Sequence, residues 1–371
     1  MSGETGSGLR REAVGPRREA VGLRREAVGL REVLFMHACG HDLHVAALLG
    51  AATLLARALP HWRGTVVIVG QPAEETLTGA RAMLEDGLYD RFGRPDAVLA
   101  QHTAPLLAGM VAHGYGQPVL AGSVGLDVTL HGRGGHAGAP HLTVDPVLAA
   151  ASVVLRLQGI VSRESAPAEQ TALTVGSLHA GTHSSVVPDS ASLGITVRAL
   201  SPASLDRVVT AVERVVRAES AASGCPRDPE ITVVSRSPVT LPDGEVTAAV
   251  REAHGEALGI ERIVPWAPSM ATEDFGLHGD AGREIHGCAG VPLGYWMVGV
   301  VGPRQWAANA DAIPGANTAE RLAALPANHS PEFAPHLPLA LPSATTALTT
   351  AALTVLGRNI SDEPGTNRVQ V

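Results

Sequence analysis

The stretch Met36-His37-Ala38-Cys39-Gly40-His41-Asp42-Leu43-His44 packs three histidines, a thiol and a carboxylate into nine residues, just before a long apolar run. Thiolate and imidazole suit zinc or another late divalent metal. Cys39 and His41 are two apart, and in an extended or turning segment both can converge on one ion. Taken alone, the same residues also read as a buried cysteine and a helix-capping Asp42. The pair Glu74-Glu75 adds to the first reading. Adjacent side chains point different ways, so one carboxylate can bind metal. The other can then face a water whose pKa the metal lowers, and take its proton. His102, and His329 in a loop bounded by Pro331, complete a donor set of nitrogen, oxygen and sulfur.

These residues need elements to hold them. Apolar residues at helical spacing over 43–59, ended by Pro60, predict a helix. Thr65-Val66-Val67-Ile68-Val69 is a continuous β-branched run and reads as a buried strand that leads into Glu74-Glu75. A helix over 79–86 and a strand over 97–100, ending at Gln101-His102, follow. Strand, helix, strand suggests an α/β sheet with parallel strands, whose ligands gather at the carboxyl ends of the strands. Around Gly122 the texture changes. Strands over 124–130, 172–178, 191–199 and 231–234, with helices over 144–162 and 204–222, make a β-α-β-β-α-β unit that reads as an inserted α+β sandwich. The first domain resumes near Leu241, with a helix over 245–258, a strand over 295–298 and a final helix over 339–356.

With 371 residues the chain has room for two domains. Hydrophobic residues make up 45% and charged residues 17%, which fits a globular body. Net charge is -8 with no long basic run, against nucleic acid as the main partner. All 28 basic residues are Arg, so Schiff-base chemistry, catalytic Lys and the P-loop Lys are excluded. Cys39, Cys225 and Cys288 are far apart and odd in number, so a reducing, cytoplasmic setting is expected rather than a disulfide framework. No secretory signal and no membrane-crossing apolar run is read, and no membrane partner is expected. At the N-terminus Gly8-Leu9-Arg10-Arg11-Glu12-Ala13-Val14 recurs at Gly15 and Gly22, and in part at Gly29. A seven-residue repeat can form a coiled coil or a docking arm, but each copy carries Gly and one carries Pro, and the apolar seam is thin. Its composition favours a low-complexity, disordered leader.

Taken together and in order, the motifs resemble one family. They are His37-Ala38-Cys39-Gly40-His41-Asp42, Gln71-Pro72-Ala73-Glu74-Glu75, Gln101-His102, Gly134-Gly135-His136-Ala137, Asp145-Pro146, Val187-Pro188-Asp189, Glu273-Asp274-Phe275 and His329-Ser330-Pro331. The chain is similar, over about residues 34–356, to the amidohydrolase branch of the aminoacylase and carboxypeptidase-G-like metallopeptidases. That branch includes hippurate hydrolases and hydrolases of indole-acetyl amino acids. The resemblance implies a metallopeptidase-type α/β catalytic domain with a mixed sheet, interrupted by an inserted α+β dimerisation domain. The organisation expected is a leader over 1–32, catalytic parts over 33–120 and 237–357, the inserted lid and dimerisation domain over 121–236, and a frayed tail over 358–371.

The resemblance further implies two divalent metal ions, zinc, manganese, nickel or cobalt. Cys39, His41, Glu75, His102 and His329 match the ligands, and Glu74 matches the general base. His136 matches a residue that helps hold the substrate or polarise its carbonyl, often from the partner subunit, so a homodimer is expected. Arg198 stands where an Arg can grip a substrate carboxylate; a surface strand Arg is the equal alternative. His37, His44, His131 and His141 read as supporting or structural. Glu273-Asp274-Phe275 shapes the site with no direct chemical role. The implied activity is cleavage of the amide of an N-acyl amino acid.

Two departures stand against this. The family carries an Asp-x-Asp strand in an N-terminal portion, and no Asp-x-Asp precedes Met36, so a catalytic domain incomplete at its N-terminus is expected. Ser185 replaces the family's Asn before the Val-Pro-Asp stretch, with a shorter reach toward substrate. An inactive relative that folds and dimerises, and a dipeptidase or carboxypeptidase of the same family, are the competing readings.

Overall fold

In this computed structural model the described residues are 21–25, 32–36, 38–358 and 368–370; His37, most of the repeat and part of the tail lie outside them. The first body is built on a mixed four-stranded sheet in the order Ile263–Pro265, Val111–His113, Leu293–Val301, Val98–Leu107. Leu293–Val301 runs parallel to Val98–Leu107 and antiparallel to Val111–His113. All nine of its residues are buried, as a central strand requires. Its side chains alternate between two cores. Trp296, Val298 and Val300 meet Leu43, Val250, Phe333 and Ala344 from the helices His41–Arg57, Gly244–Leu258 and Leu337–Arg358 and the loop before the last of these. Leu293, Tyr295 and Met297 pack with Ala104, Leu120 and Phe275 on the other face.

The inserted unit is an antiparallel sheet in the order Glu230–Ser237, Leu120–His131, Ser190–Ala199, Thr171–Ala180. Alternate residues of Ser190–Ala199 (Ala191, Leu193, Ile195, Val197, Ala199) are buried against the helices Pro146–Arg163 and Pro202–Ala222. Asp145 and Ser201 cap these two helices with their side chains, each followed by Pro at the first helical position. A short strand, Ser269–Thr272, runs beside Leu120 and Ala121 and joins the two bodies.

Several expectations are corrected. Thr65–Val67 is shorter than its β-branched run and only partly buried; it pairs in parallel with Arg368–Gln370 rather than within the four-stranded sheet. A partly exposed strand leaves backbone groups open to pairing, so the expected frayed tail contributes a strand instead. Inside the expected leader, Val21–Arg25 pairs antiparallel with Glu32–Met36. Two helices, Pro146–Arg163 and Leu337–Gly357, are long and apolar enough to cross a membrane by length and composition, where none was read from the sequence. Each sets an apolar face into a protein core, through Ala149, Val153 and Leu157 in the first and Ala340, Ala344 and Ala347 in the second.

Candidate metal centre

Four chain segments converge on one place, and each is bent into it by local structure. Gly40 adopts φ +76° and turns the chain into the helix His41–Arg57; a Cβ there would stand 3.2 Å from Thr103 Cγ2 and 3.4 Å from Phe333 Cε1. Cys39 is thereby buried and His41 sits in the first helical turn. Glu74 and Glu75 occupy a short 3-10 turn, Glu74–Thr76, framed by Ala73 at φ +54° and Leu77 at φ +56°. His102 lies in the middle of Val98–Leu107, so neither it nor the glutamates are at the strand ends expected. Its Nδ1–H donates to Thr103 O at 2.8 Å, which leaves the Nε2 lone pair facing Cys39 Sγ at 3.6 Å. His329 takes φ +70°, and its N–H donates to Ala38 O at 2.7 Å, laying its loop against the Cys39 turn.

The donor atoms form overlapping groups, each with all its atoms within 4.8 Å of one another: Cys39, His41 and His102; Cys39, Glu75 and His329; His41, Glu74 and Glu75; Glu74, His102 and Glu273. His41 Nε2 is 3.2 Å from Glu74 Oε2 and 3.9 Å from Glu75 Oε1, and His329 Nε2 is 3.4 Å from Glu75 Oε2. Metal–ligand bonds of roughly 2.0–2.3 Å set donors around one ion no more than about 4.6 Å apart, so this clustering and donor chemistry fit a zinc-like cation. Cys39, His41, Glu74, Glu75 and His102 each belong to two of the groups, so the four make one continuous cluster.

The electrostatics agree. Burial pushes the Cys39 thiol up to about 11, with Glu75, Glu74 and Glu273 adding to it while an Asn328 hydrogen bond pulls it down. Burial also pushes Glu74 upward, then Glu75 and Asp274. Glu273 is pushed upward by burial and next by Glu74. Burial lowers His102 to about 4. Acids driven toward neutrality beside neutral imidazoles are a donor set that a divalent cation would ionise and pull together.

Three further residues contribute: Glu273, expected only to shape the site, and Thr103 and Asn328, for which the sequence suggested no role. Glu273 is buried, with its carboxylate accepting from the Asp274 and Phe275 backbone N–H groups at 3.0 and 3.4 Å. Thr103 donates its hydroxyl to Cys39 O at 2.6 Å. Asn328 Nδ2 donates to Cys39 Sγ at 3.3 Å and Thr103 Oγ1 at 3.2 Å. Thr103 and Asn328 each adjoin a histidine of the cluster, the one signal that could have found them.

Other expected residues lie elsewhere. His136 is exposed, accepts from Gly138 N at 2.9 Å, and does not join the donor groups. Arg198 is neither a simple surface Arg nor free to grip with its whole fork: Nη1 donates to Met270 O at 2.7 Å, across to the strand before Glu273. His44 accepts from Thr103 N at 3.3 Å, and its ring lies 5.1 Å from that of His102, tilted by 45°. His131 bridges Glu230 and Arg227 within the inserted unit, and His141 lies in the 3-10 turn Pro140–Leu142. Ser185 Oγ pairs with His183 Nδ1 at 2.9 Å.

Comparison with known proteins follows the same lines. The IAA-amino acid hydrolase ILR1-like 4 of Arabidopsis thaliana is 37% identical over 249 residues, 66% of this chain and 56% of its own length. The hippurate hydrolase of Campylobacter jejuni is 34% identical over 244 residues, 65% of this chain and 62% of its own. The chain thus spans a little over half the length of these curated relatives. In three dimensions it is similar to the Bacillus subtilis YxeP protein, a dinuclear metal binding peptidase from the M20 family. The TM-score is 0.63 at 26% identity, covering 87% of this chain and 74% of that one. The profile of peptidase family M20/M25/M40 matches residues 25–323, which take in the Cys39 turn, the Glu74–Glu75 turn, His102 and the whole inserted sheet, and the chain belongs to that family.

Proposed function

We propose that this chain is a metal-dependent amidohydrolase that cleaves the amide bond of N-acyl amino acids, hippurate-like or indole-acetyl-amino-acid-like. The observation that carries it is the convergence of Cys39, His41, Glu75, His102 and His329 donor atoms, with the Glu74 carboxylate against His41. Those five residues would hold two divalent ions of the zinc, manganese, nickel or cobalt kind. Bound there, the ions supply Lewis acidity toward the scissile carbonyl and make a water acidic enough to attack near neutral pH. Glu74 is the proton carrier: half-buried, with its pKa pushed up by its surroundings, it takes a proton from the attacking water and delivers it to the leaving amine. His102, held through its Nδ1–H, keeps one tautomer and one direction. The names of the plant and bacterial relatives support the substrate class.

Arg198 and His136 are the inserted domain's contributions in this reading, Arg198 toward a substrate carboxylate and His136 toward the site of a second subunit. Exposed Leu142, Leu148, Leu155, Leu178 and Val186 on the inserted domain support a homodimer through that domain. The described cysteines are free thiols, which supports a cytoplasmic setting. The test is metal analysis of the purified chain together with hydrolysis of benzoyl-glycine and acetyl amino acids, before and after chelation. About two ions per chain and chelator-sensitive turnover are expected of a two-metal site. Turnover that survives exhaustive chelation, or a chain that binds no divalent metal, overturns the reading.

A further inference from the structure

The Glu74–Glu75 turn is held in a conformation that L-residues avoid. Ala73 and Leu77, on either side of it, both sit in the left-handed region, at φ +54° and +56°. Each costs on the order of 1 kcal/mol and persists only where the surroundings enforce it. The enforcing group is on another part of the chain. Asp274 is fully buried, and its two carboxylate oxygens reach the two ends of the segment that carries the glutamates. Oδ1 accepts from Gln71 Nε2 at 2.6 Å, and Oδ2 accepts from Ala80 N at 2.8 Å. Gln71 is itself oriented by buried His278, whose Nε2–H donates to Gln71 Oε1 at 3.1 Å. The ends of the segment close so tightly that a Cβ on Gly79 would lie 1.7 Å from Pro72 O.

We infer that Asp274 is a positioning residue, a clamp across residues 71 and 80 that fixes the strained turn and so aims Glu74 and Glu75 into the cluster. This deepens the reading proposed above and rests on it for its consequence in turnover. The geometry of the clamp stands apart from that reading. Because Asp274 follows Glu273 directly, one loop both supplies the carboxylate beside Glu74 and locks the turn opposite it.

The clamp can be read without catalysis. Amide hydrogen exchange of Leu77, Thr78 and Ala80 reports the turn, since their N–H groups bond Glu74 O, Ala73 O and Asp274. Asp274→Asn keeps the shape but turns one acceptor into a donor facing Gln71 Nε2, so exchange at these amides is expected to rise about tenfold or more. Under the proposed activity kcat falls, on the order of a hundredfold for a displaced base, while KM barely moves. The double variant Gln71→Glu with Asp274→Asn restores every hydrogen bond with the roles exchanged. The new amide at position 274 then donates to the new carboxylate at position 71, its oxygen accepts from Ala80 N, and His278 still donates to the side chain at position 71. The double variant is expected to return both exchange and kcat toward the starting protein. If Asp274→Asn does not fold, Gln71→Ala, which removes one arm only, carries the exchange measurement. Unchanged exchange in the turn, or a double variant no better than Asp274→Asn, overturns the clamp. A wild-type chain without turnover whose turn still responds in exchange leaves the clamp standing and removes the proposed activity instead.

Discussion

At the scale of single residues, the proposed function makes the clustered side chains metal donors and Glu74 the proton carrier, and the two kinds are expected to respond differently to substitution. Glu74→Gln keeps the size of the side chain and removes the basic oxygen. It is expected to retain bound metal while losing turnover by roughly two to four orders of magnitude, read by metal analysis alongside a hydrolysis assay; near-normal turnover would reassign the base. Cys39 is proposed as a donor instead: its sulfur lies in both the group with His102 and the group with His329, and it receives the Asn328 hydrogen bond. Cys39→Ser replaces a soft thiolate with a hydroxyl that stays protonated, so metal content should drop at both positions rather than one. A Ser variant that keeps its full metal complement would show that Cys39 only packs. The donor types were legible because Cys39 and His41 are two residues apart and Glu74 and Glu75 are adjacent. Glu273 was not, since a glutamate in a loop acquires its role only when folding buries it beside Glu74.

At the scale of elements, the helix carrying His41 is fixed by small residues on the helix it packs against. Ala340, Ala344, Ala347 and Ala351 are all fully buried along Leu337–Arg358, spaced four, three and four apart, in one core with Leu43 and Ala47 of His41–Arg57. A Cβ on Gly50 would already stand 2.8 Å from Thr345 Cγ2. Ala344→Leu therefore overfills the contact and should cost about 1–3 kcal/mol in urea unfolding. An unchanged midpoint would mean that the two helices are not closely set. Both helices were legible from apolar periodicity, with each bound displaced by two residues. Thr65–Val67 was misjudged for a physical reason: a β-branched run reads as buried whether it lies inside a sheet or beside one. The length of Val98–Leu107 was missed because Gln101-His102-Thr103 breaks the apolar pattern where the chemistry sits.

At the scale of the whole molecule, the mixed sheet and the inserted β-α-β-β-α-β unit were legible because alternation and helical spacing change abruptly near Gly122. The joins between distant parts were not, and the histidine pair His113 and His254 is one of them. His113 Nε2 lies 3.0 Å from His254 Nδ1, and His254 Nε2–H donates to Ala347 O at 2.9 Å, so the strand Val111–His113 is tied to two helices. With that donor fixed, His254 Nδ1 accepts and His113 Nε2 donates, a pairing that needs the His254 ring neutral, while burial disfavours charge on either ring. Burial lowers His113 from 6.5 to about 3, with His254 and Arg251 adding to it, and lowers His254 to about 4. Between these values and 6.5 the unfolded chain binds protons that the folded chain refuses. The stability from the pair is therefore complete above about pH 6.5 and is lost as pH falls toward 4, at up to roughly 1.4 kcal/mol per pH unit for each ring. His254→Gln can still donate to Ala347 O and accept from His113 without titrating itself. Urea unfolding followed from pH 7 to pH 4.5, at a fixed excess of chelator, should give a shallower acid slope for this variant by about one proton. Parallel slopes for the two proteins would show that the pair does not set the acid limb.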